Sequence, residues 1–100
     1  MLNPEDIKNM LISKGFQKVY VVEKDPQCIL FLCVYNDRNY LIAFYQGDIA
    51  MYSKLLDSAN ISSLYWKCEY LKYIPNGLYT FAQNIESLID KVLQKIKLIQ

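Results

Sequence analysis

Two neighbouring stretches of the sequence are apolar at nearly every position, and they constrain the fold more than any other feature. The stretches are Cys28–Tyr35 and residues 40–45, separated by the turn-forming residues 36–39. A strand with one solvent-facing side would alternate between apolar and polar residues, and neither stretch does so. The sequence therefore predicts a β-hairpin with two buried faces. Helices or a second subunit must cover each face.

The N-terminal residues carry the signals of a helix over residues 4–14. Asn3 is suited to cap the first turn, and Gly15 follows the last turn, where a left-handed cap requires glycine. Residues 16–23 then form the first strand. This strand ends before Pro26, because proline cannot donate a hydrogen bond to a neighbouring strand.

The middle of the chain is harder to assign. After Gly47, a helix capped by Asp48 is favoured over a fourth hairpin strand, because apolar residues recur at helical spacing. These residues are Ile49, Tyr52, Leu55, Leu56 and Ala59. Residues 61–74 fit either a helix or a strand, and their aromatic content favours a strand. Apolar residues that step by three and four predict a long C-terminal helix over residues 81–98.

The order of these elements predicts a single α+β domain over residues 1–100. Its sheet is small and mostly antiparallel, with about four strands, namely a meander of the first three strands and a later one. An N-terminal helix, a middle helix and the long C-terminal helix complete the fold. The apolar stripe of the last helix spans about two heptads, which leaves a homodimer through a short helix pair open.

Charge and composition exclude several classes of partner. The chain has 11 basic and 10 acidic side chains and a net charge of +1, so no overall field attracts a polyanion. The apolar runs are far shorter than the roughly 20 residues of a membrane helix, and the N-terminus lacks a basic signal region. We therefore expect a cytoplasmic protein, of the cell or of an infected host cell, with no membrane partner.

The three cysteines are expected to be buried free thiols. Cys28, Cys33 and Cys68 are odd in number, form no Cys-x-x-Cys pair and lie in apolar or aromatic stretches. A disulfide from Cys28 or Cys33 to Cys68 across neighbouring strands stays open as the alternative, although the spacing does not demand it.

The sequence lacks the residues of the common catalytic and metal sites. It contains no histidine, which removes the commonest general base and the commonest neutral zinc ligand. The three glycines lie about thirty residues apart, too far to form a phosphate-binding loop. Carboxylate pairs such as Glu23 with Asp25 have ordinary roles at strand ends and turns. We therefore expect no enzyme activity, no cofactor and no metal.

Aromatic residues are unusually frequent in residues 65–73, which hold four of the rings in a chain with nine tyrosines. On a strand these rings cannot all face the core, because successive side chains point to opposite faces. An exposed cluster of tyrosine side chains is typical of a protein interface. The predicted partner-binding residues are Tyr65, Lys67, Glu69, Leu71, Lys72 and Tyr73.

The sequence thus favours a non-enzymatic protein-binding module that acts by occupying the surface of a partner protein. Small domains without chemistry are often inhibitors, immunity proteins or anti-defence factors encoded by viruses or phages. The alternative is a nucleic-acid or small-ligand binder that uses a tyrosine-rich sheet surface. Nucleic acid is disfavoured, since Lys67 and Lys72 are offset by Glu69.

Overall fold

The computed structural model describes residues 2–99 and has the predicted α+β architecture. Its helices are α1 (Pro4–Ser13), α2 (Cys68–Tyr73) and α3 (Ile85–Ile99). Its strands are β1 (Lys18–Asp25), β2 (Cys28–Tyr35), β3 (Arg38–Gln46), β4 (Met51–Asp57) and β5 (Leu78–Ala82). Two short 3-10 turns, Ser58–Asn60 and Ser63–Tyr65, precede α2.

The five strands form one antiparallel meander in the order β1-β2-β3-β4-β5, so the sheet has one strand more than predicted. The helix α1 and the first three strands lie within about two residues of their predicted positions. The turn between β2 and β3 is confirmed, and its central residues Asn36 and Asp37 both have positive φ. Such a two-residue turn matches the twist of a hairpin, and asparagine and aspartate tolerate it well.

The middle helix is not at its predicted position, because residues 51–57 form the strand β4 and the helix in the middle of the chain is α2. The apolar residues of this segment come in adjacent pairs, and a strand sends the two members of each pair to opposite faces. All four of these apolar side chains are buried or half-buried, so both faces of β4 contribute to packing. β4 also pairs along the backbone edge of β3. Ile49, which was assigned to the helix, is 89% exposed in the preceding loop.

The predicted strand within residues 61–74 is also wrong, since a 3-10 turn and α2 lie there. The helical spacing of Cys68 and Leu71 places both on one side, where they are buried against the sheet. The later strand is β5, which overlaps the start of the predicted C-terminal helix. α3 begins after Asn84, whose side-chain oxygen accepts a hydrogen bond from the backbone N–H of Ser87 at 2.9 Å.

Different parts of the chain cover the two faces of the sheet, as the doubly apolar hairpin requires. On one face, here called the helix face, α1 and α3 pack against residues of every strand, including Phe31 and Ile42. On the opposite face, the cover face, residues of β2, β3 and β4, including Leu30 and Leu41, pack against parts of residues 58–74. Residues 58–74 are called the cover segment below.

Both edge strands of the sheet are protected against pairing with another sheet. In β5 the backbone carbonyl groups of Tyr79 and Phe81 accept hydrogen bonds from the ammonium groups of Lys95 and Lys91, each at 3.0 Å. In β1 a bulge at Val22 interrupts the regular pairing with β2. Lysines and bulges are common means of blocking association through sheet edges.

Cys33 is a buried free thiol, as predicted, and its replacement by alanine should change how stability responds to pH. Burial raises the pKa of the Cys33 thiol above its ordinary value of 9.0. The folded protein then keeps a proton that the unfolded chain releases at alkaline pH. The free energy of unfolding therefore falls as pH rises above about 9, by up to about 1.4 kcal/mol per pH unit.

This effect can be measured by anaerobic urea unfolding of wild type and Cys33→Ala across neutral and alkaline pH. We expect the stability advantage of the wild type to be constant below about pH 9 and to shrink above it. Other titrating groups cancel in the difference, because the two proteins share them. Parallel stability curves over the whole range would contradict this account of Cys33.

Candidate functional site

The cover segment contains all the predicted partner-binding residues, and most of its side chains are exposed or half-buried. Its fully buried residues are Cys68 and Leu71, both in α2. Trp66 is half-buried, and its indole N–H donates to the backbone carbonyl of Ile61 at 2.9 Å. With six residues, α2 is too short to be stable as an isolated helix. Other contacts with the sheet must therefore hold it in place.

The N-terminus of α2 is bound by a carboxylate from β1. Lys67, the residue at the capping position, makes no side-chain capping hydrogen bond. Instead, the backbone N–H of Cys68 donates to Oε1 of Glu23 at 3.1 Å. The bulge at Val22 makes this contact possible, because it absorbs one residue and places Glu23 opposite Leu30. A negative charge at a helix N-terminus also interacts favourably with the helix dipole.

The C-terminus of α2 is bound by a buried lysine from β4. Lys54 is 0% exposed, and its Nζ donates to the backbone carbonyl groups of Leu71 and Ile74. Carbonyl groups at a helix end lack partners within the helix, so Lys54 acts as a C-terminal cap. Its Nζ also lies 5.1 Å from the ring centroid of Tyr79. Burial lowers the pKa of Lys54, because it disfavours the charged form.

A disulfide between Cys28 and Cys68 links α2 to β2, with a Cα–Cα distance of 6.4 Å. The expectation that both cysteines are free thiols is therefore wrong, and one of the two alternative pairings is found. The spacing of the cysteines could not select this pairing, because their approach requires α2 to lie on the cover face. Together with Glu23 and Lys54, the disulfide links α2 to three different strands.

Aromatic rings extend from the cover segment onto the part of the cover face that this segment leaves open. The rings of Tyr65 and Tyr70 meet edge to face at 5.7 Å. The ring of Tyr52 lies 5.9 Å from that of Phe81. Tyr73 lies near both groups, because it lines a groove with Tyr65 and Tyr70 and also a cleft with Tyr52. The aromatic surface is defined as Tyr52, Tyr65, Tyr70, Tyr73, Tyr79 and Phe81.

A cleft of about 340 Å³ lies between α2 and the adjoining ends of β1, β2 and β3. Its wall includes Tyr45 and Tyr52, whose rings are stacked with centroids 4.8 Å apart. The hydroxyl of Tyr45 donates to the backbone carbonyl of Cys68 at 2.9 Å. Burial is the main cause that raises the pKa of Tyr45. The hydroxyl therefore stays protonated and can donate this hydrogen bond.

Charged side chains surround these rings. The cleft is lined by three acidic residues, Glu23, Asp25 and Glu69, and by Lys72. The Nζ of Lys72 lies 6.0 Å from the ring centroid of Tyr45. The cleft thus combines aromatic faces with three carboxylates and one ammonium group.

Five of the six predicted partner-binding residues are exposed, and Leu71 is not. Leu71 is buried between α2 and the sheet, so it supports the fold and offers no contact to a partner. The strand interpretation placed it on the outer face, whereas helical geometry turns it to the same side as Cys68. The role of the other residues in binding stays a prediction; they are Tyr65, Lys67, Glu69, Lys72 and Tyr73.

The predicted binding residues do not include the aromatic residues of the sheet, because the sequence pattern favours helices for β4 and for part of β5. Alternation around Tyr79 and Phe81 is a strand signal that could have identified these two rings. The capping role of Lys54 has no local signal, since a lysine on an exposed helix would have the same sequence context. Its contacts depend on residues 17 and 20 positions further along the chain.

Comparison with models of protein families, with curated proteins and with solved structures gives no match for this chain. Within residues 2–99, no group of three or more Cys, Asp or Glu side chains is arranged to hold a metal ion. In the same part of the chain, no helix is long and apolar enough to cross a membrane. Functional inference therefore depends on the geometry of the aromatic surface and the cleft.

Removal of the disulfide should loosen α2 before the rest of the sheet. The bond joins residues 40 positions apart, and restricting an unfolded chain in this way contributes about 4 kcal/mol in the chain-entropy description. We expect Cys28→Ser/Cys68→Ser to lower the free energy of unfolding by roughly 2–4 kcal/mol and to speed amide hydrogen exchange first in the cover segment. Titration of the wild type should find one thiol, reactive after unfolding. Three reactive thiols without a reductant would contradict the disulfide.

Replacement of Lys54 by methionine should destabilise the fold, because the carbonyl groups of Leu71 and Ile74 lose their donor. Leaving buried groups unsatisfied costs roughly 1–3 kcal/mol each, and loss of the buried ammonium offsets part of this, so we expect a net loss of roughly 1–4 kcal/mol. Lys91→Met is the matched control, since the exposed Lys91 donates to the carbonyl of Phe81. Urea unfolding should show a loss below about 0.5 kcal/mol for this control. Equal losses in the two variants would contradict the capping role.

Proposed function

We propose that the protein is a non-enzymatic protein-binding module that acts by occupying the surface of a partner, as inhibitors and immunity proteins do. The observation that supports this proposal is the aromatic surface, whose rings lie on the cover segment and on the neighbouring part of the cover face. Tyr73 is 78% exposed and Phe81 is 59% exposed. Contiguous apolar patches on a protein surface mark interaction sites, whereas single exposed apolar residues do not.

The framework that presents these rings favours tight binding. Tyr52, Tyr79 and Phe81 lie on paired strands, and the hydroxyl of Tyr79 donates to the backbone carbonyl of Lys72 at 2.8 Å. This hydrogen bond joins β5 to α2, so the two groups of rings are linked. Tyrosine side chains have few rotatable bonds and lose little conformational entropy in an interface. Tyrosine is therefore frequent among the residues that dominate binding energy.

The charges beside the aromatic surface favour a protein partner over a nucleic acid. Proteins that bind single strands combine stacked rings with several cations along a groove. Here Lys72 lines the cleft together with three acidic residues, Glu23, Asp25 and Glu69. The negative charges of the three carboxylates would repel the phosphates of a nucleic acid.

The disulfide bears on where the protein acts. Structural disulfides persist in oxidising compartments and are rare in the cytoplasm. The Cys28–Cys68 bond therefore favours an oxidising site of action over the cytoplasmic location expected from the sequence.

Truncation of the exposed rings should abolish partner binding and leave the fold intact. Tyr65→Ala/Tyr73→Ala removes rings from the cover segment, and Phe81→Ala removes one from the sheet. Leu98→Ala is the matched control, because Leu98 is 83% exposed on α3, which packs on the helix face. The wild type and the control are expected to capture the same protein from the native host. We expect this protein to bind each aromatic variant at least roughly 30-fold more weakly than it binds the wild type.

The capture experiment needs circular dichroism spectra that show the same fold for all four proteins. Undiminished binding of the same protein by both aromatic variants would contradict the proposal. Titration with a labelled oligonucleotide at two salt concentrations tests the competing function. Oligonucleotide binding that weakens steeply with salt, as phosphate contacts require, would replace the proposal with nucleic-acid binding.

A further inference from the structure

We infer that the cleft between α2 and the sheet receives an arginine side chain of the partner protein. The inference rests on the proposed function and adds the chemistry of the contact. The partner would present one arginine surrounded by apolar residues. The arginine would enter the cleft, and its apolar neighbours would pack on the aromatic surface.

The shape of the cleft suits a flat cation. Its volume of about 340 Å³ accommodates one long side chain. The rings of Tyr45 and Tyr52, stacked on each other, line the cleft, and Tyr52 is the more exposed of the two. A guanidinium group stacks on aromatic faces more readily than an ammonium group does. Tyr52 also belongs to the aromatic surface, so a side chain in the cleft would be continuous with the apolar contact outside it.

The charges of the cleft suit the same cation. Three acidic residues and one lysine line the cleft, which leaves it with an excess of negative charge. Glu23 and Asp25 each use one carboxylate oxygen in a hydrogen bond with a backbone N–H, so the second oxygen of each is oriented by a fixed group. A planar guanidinium has several N–H donors with which to bind such oxygens, whereas an ammonium group acts as a point charge.

The chain's own lysine provides an independent observation that the cleft accommodates a cation. The Nζ of Lys72 lies 6.0 Å from the ring centroid of Tyr45, within the range of a cation–π contact. An incoming arginine would displace this ammonium group or be repelled by it. Removal of the charge at Lys72 should therefore strengthen arginine binding, an effect that a purely structural role of Lys72 would not produce.

The experiment is a titration of the isolated protein with N-acetyl-arginine amide, followed by NMR. The uncharged N-acetyl-citrulline amide serves as the matched ligand. We expect saturable shifts of the ring signals of Tyr45, Tyr52 and Tyr73 with the arginine compound alone. Lys72→Gln should bind it at least about twofold more tightly, because a repelling charge is lost.

A charge reversal provides the second comparison. Glu69→Lys should weaken binding at least roughly fivefold, whereas Glu86→Lys should leave it unchanged. The two glutamates are matched, since each is an exposed acid in the first turn of a helix and Glu86 lies on α3. The backbone signals report whether each variant keeps the fold.

Three results would overturn the inference: no saturable shift, equal binding of the citrulline compound, or weaker binding by Lys72→Gln. None of these depends on knowing the partner. If one of these results occurs while the aromatic variants still fail to bind the captured protein, the proposed function stands and the arginine contact fails. If the arginine compound binds in the cleft while the aromatic variants bind the captured protein as tightly as the wild type does, the proposed function fails.

Discussion

The rest of the structure depends on the burial of both faces of the central hairpin. β2 and residues 40–45 of β3 carry apolar or aromatic side chains at every position, so contact with water on either face would expose a large apolar area. The helix face is covered by α1 and α3, which present apolar stripes to the sheet. The cover face receives only the cover segment, whose single helix has six residues. Both faces of the sheet therefore need to be covered, and different parts of the chain cover them.

Polar and covalent contacts compensate for the small apolar area of the cover segment. Glu23 binds one end of α2, Lys54 binds the other, and the disulfide fixes the first residue of the helix. Each charge has the sign that the helix dipole favours at its end. Desolvation of the Lys54 ammonium costs several kcal/mol, so its hydrogen bonds contribute more to the position of α2 than to the net stability of the fold. The disulfide contributes about 4 kcal/mol without such a cost.

The sequence was sufficient for the parts of the fold that local signals determine. Asn3 and Gly15 delimit α1, and the doubly apolar hairpin is legible from its composition. β4 was not predictable in this way, because the adjacent pair Leu55 and Leu56 fits a helix stripe as well as a strand buried on both faces. The contacts that Glu23, Lys54 and the disulfide make with α2 could not be predicted, for another reason. They join residues up to 45 positions apart, and no local pattern records that proximity.

The cover segment covers only part of the cover face, and this determines which rings are exposed. The cover segment leaves Tyr52, Tyr79 and Phe81 on the face of the sheet, while Lys91 and Lys95 occupy the carbonyl groups at the β5 edge. Contacts on this side of the sheet would therefore be made by side chains, because the carbonyl groups of Tyr79 and Phe81 at the β5 edge are already hydrogen-bonded.

The rings on this side of the molecule divide by their hydrogen bonds. The hydroxyls of Tyr45 and Tyr79 donate to backbone carbonyl groups of α2, so both tyrosines help to position the helix, and Tyr79 also belongs to the aromatic surface. Phe81 has no hydroxyl, and most of its side chain is exposed. Its exposure serves no evident purpose within the fold. For this reason the contribution of the surface to binding is measured most directly at Phe81.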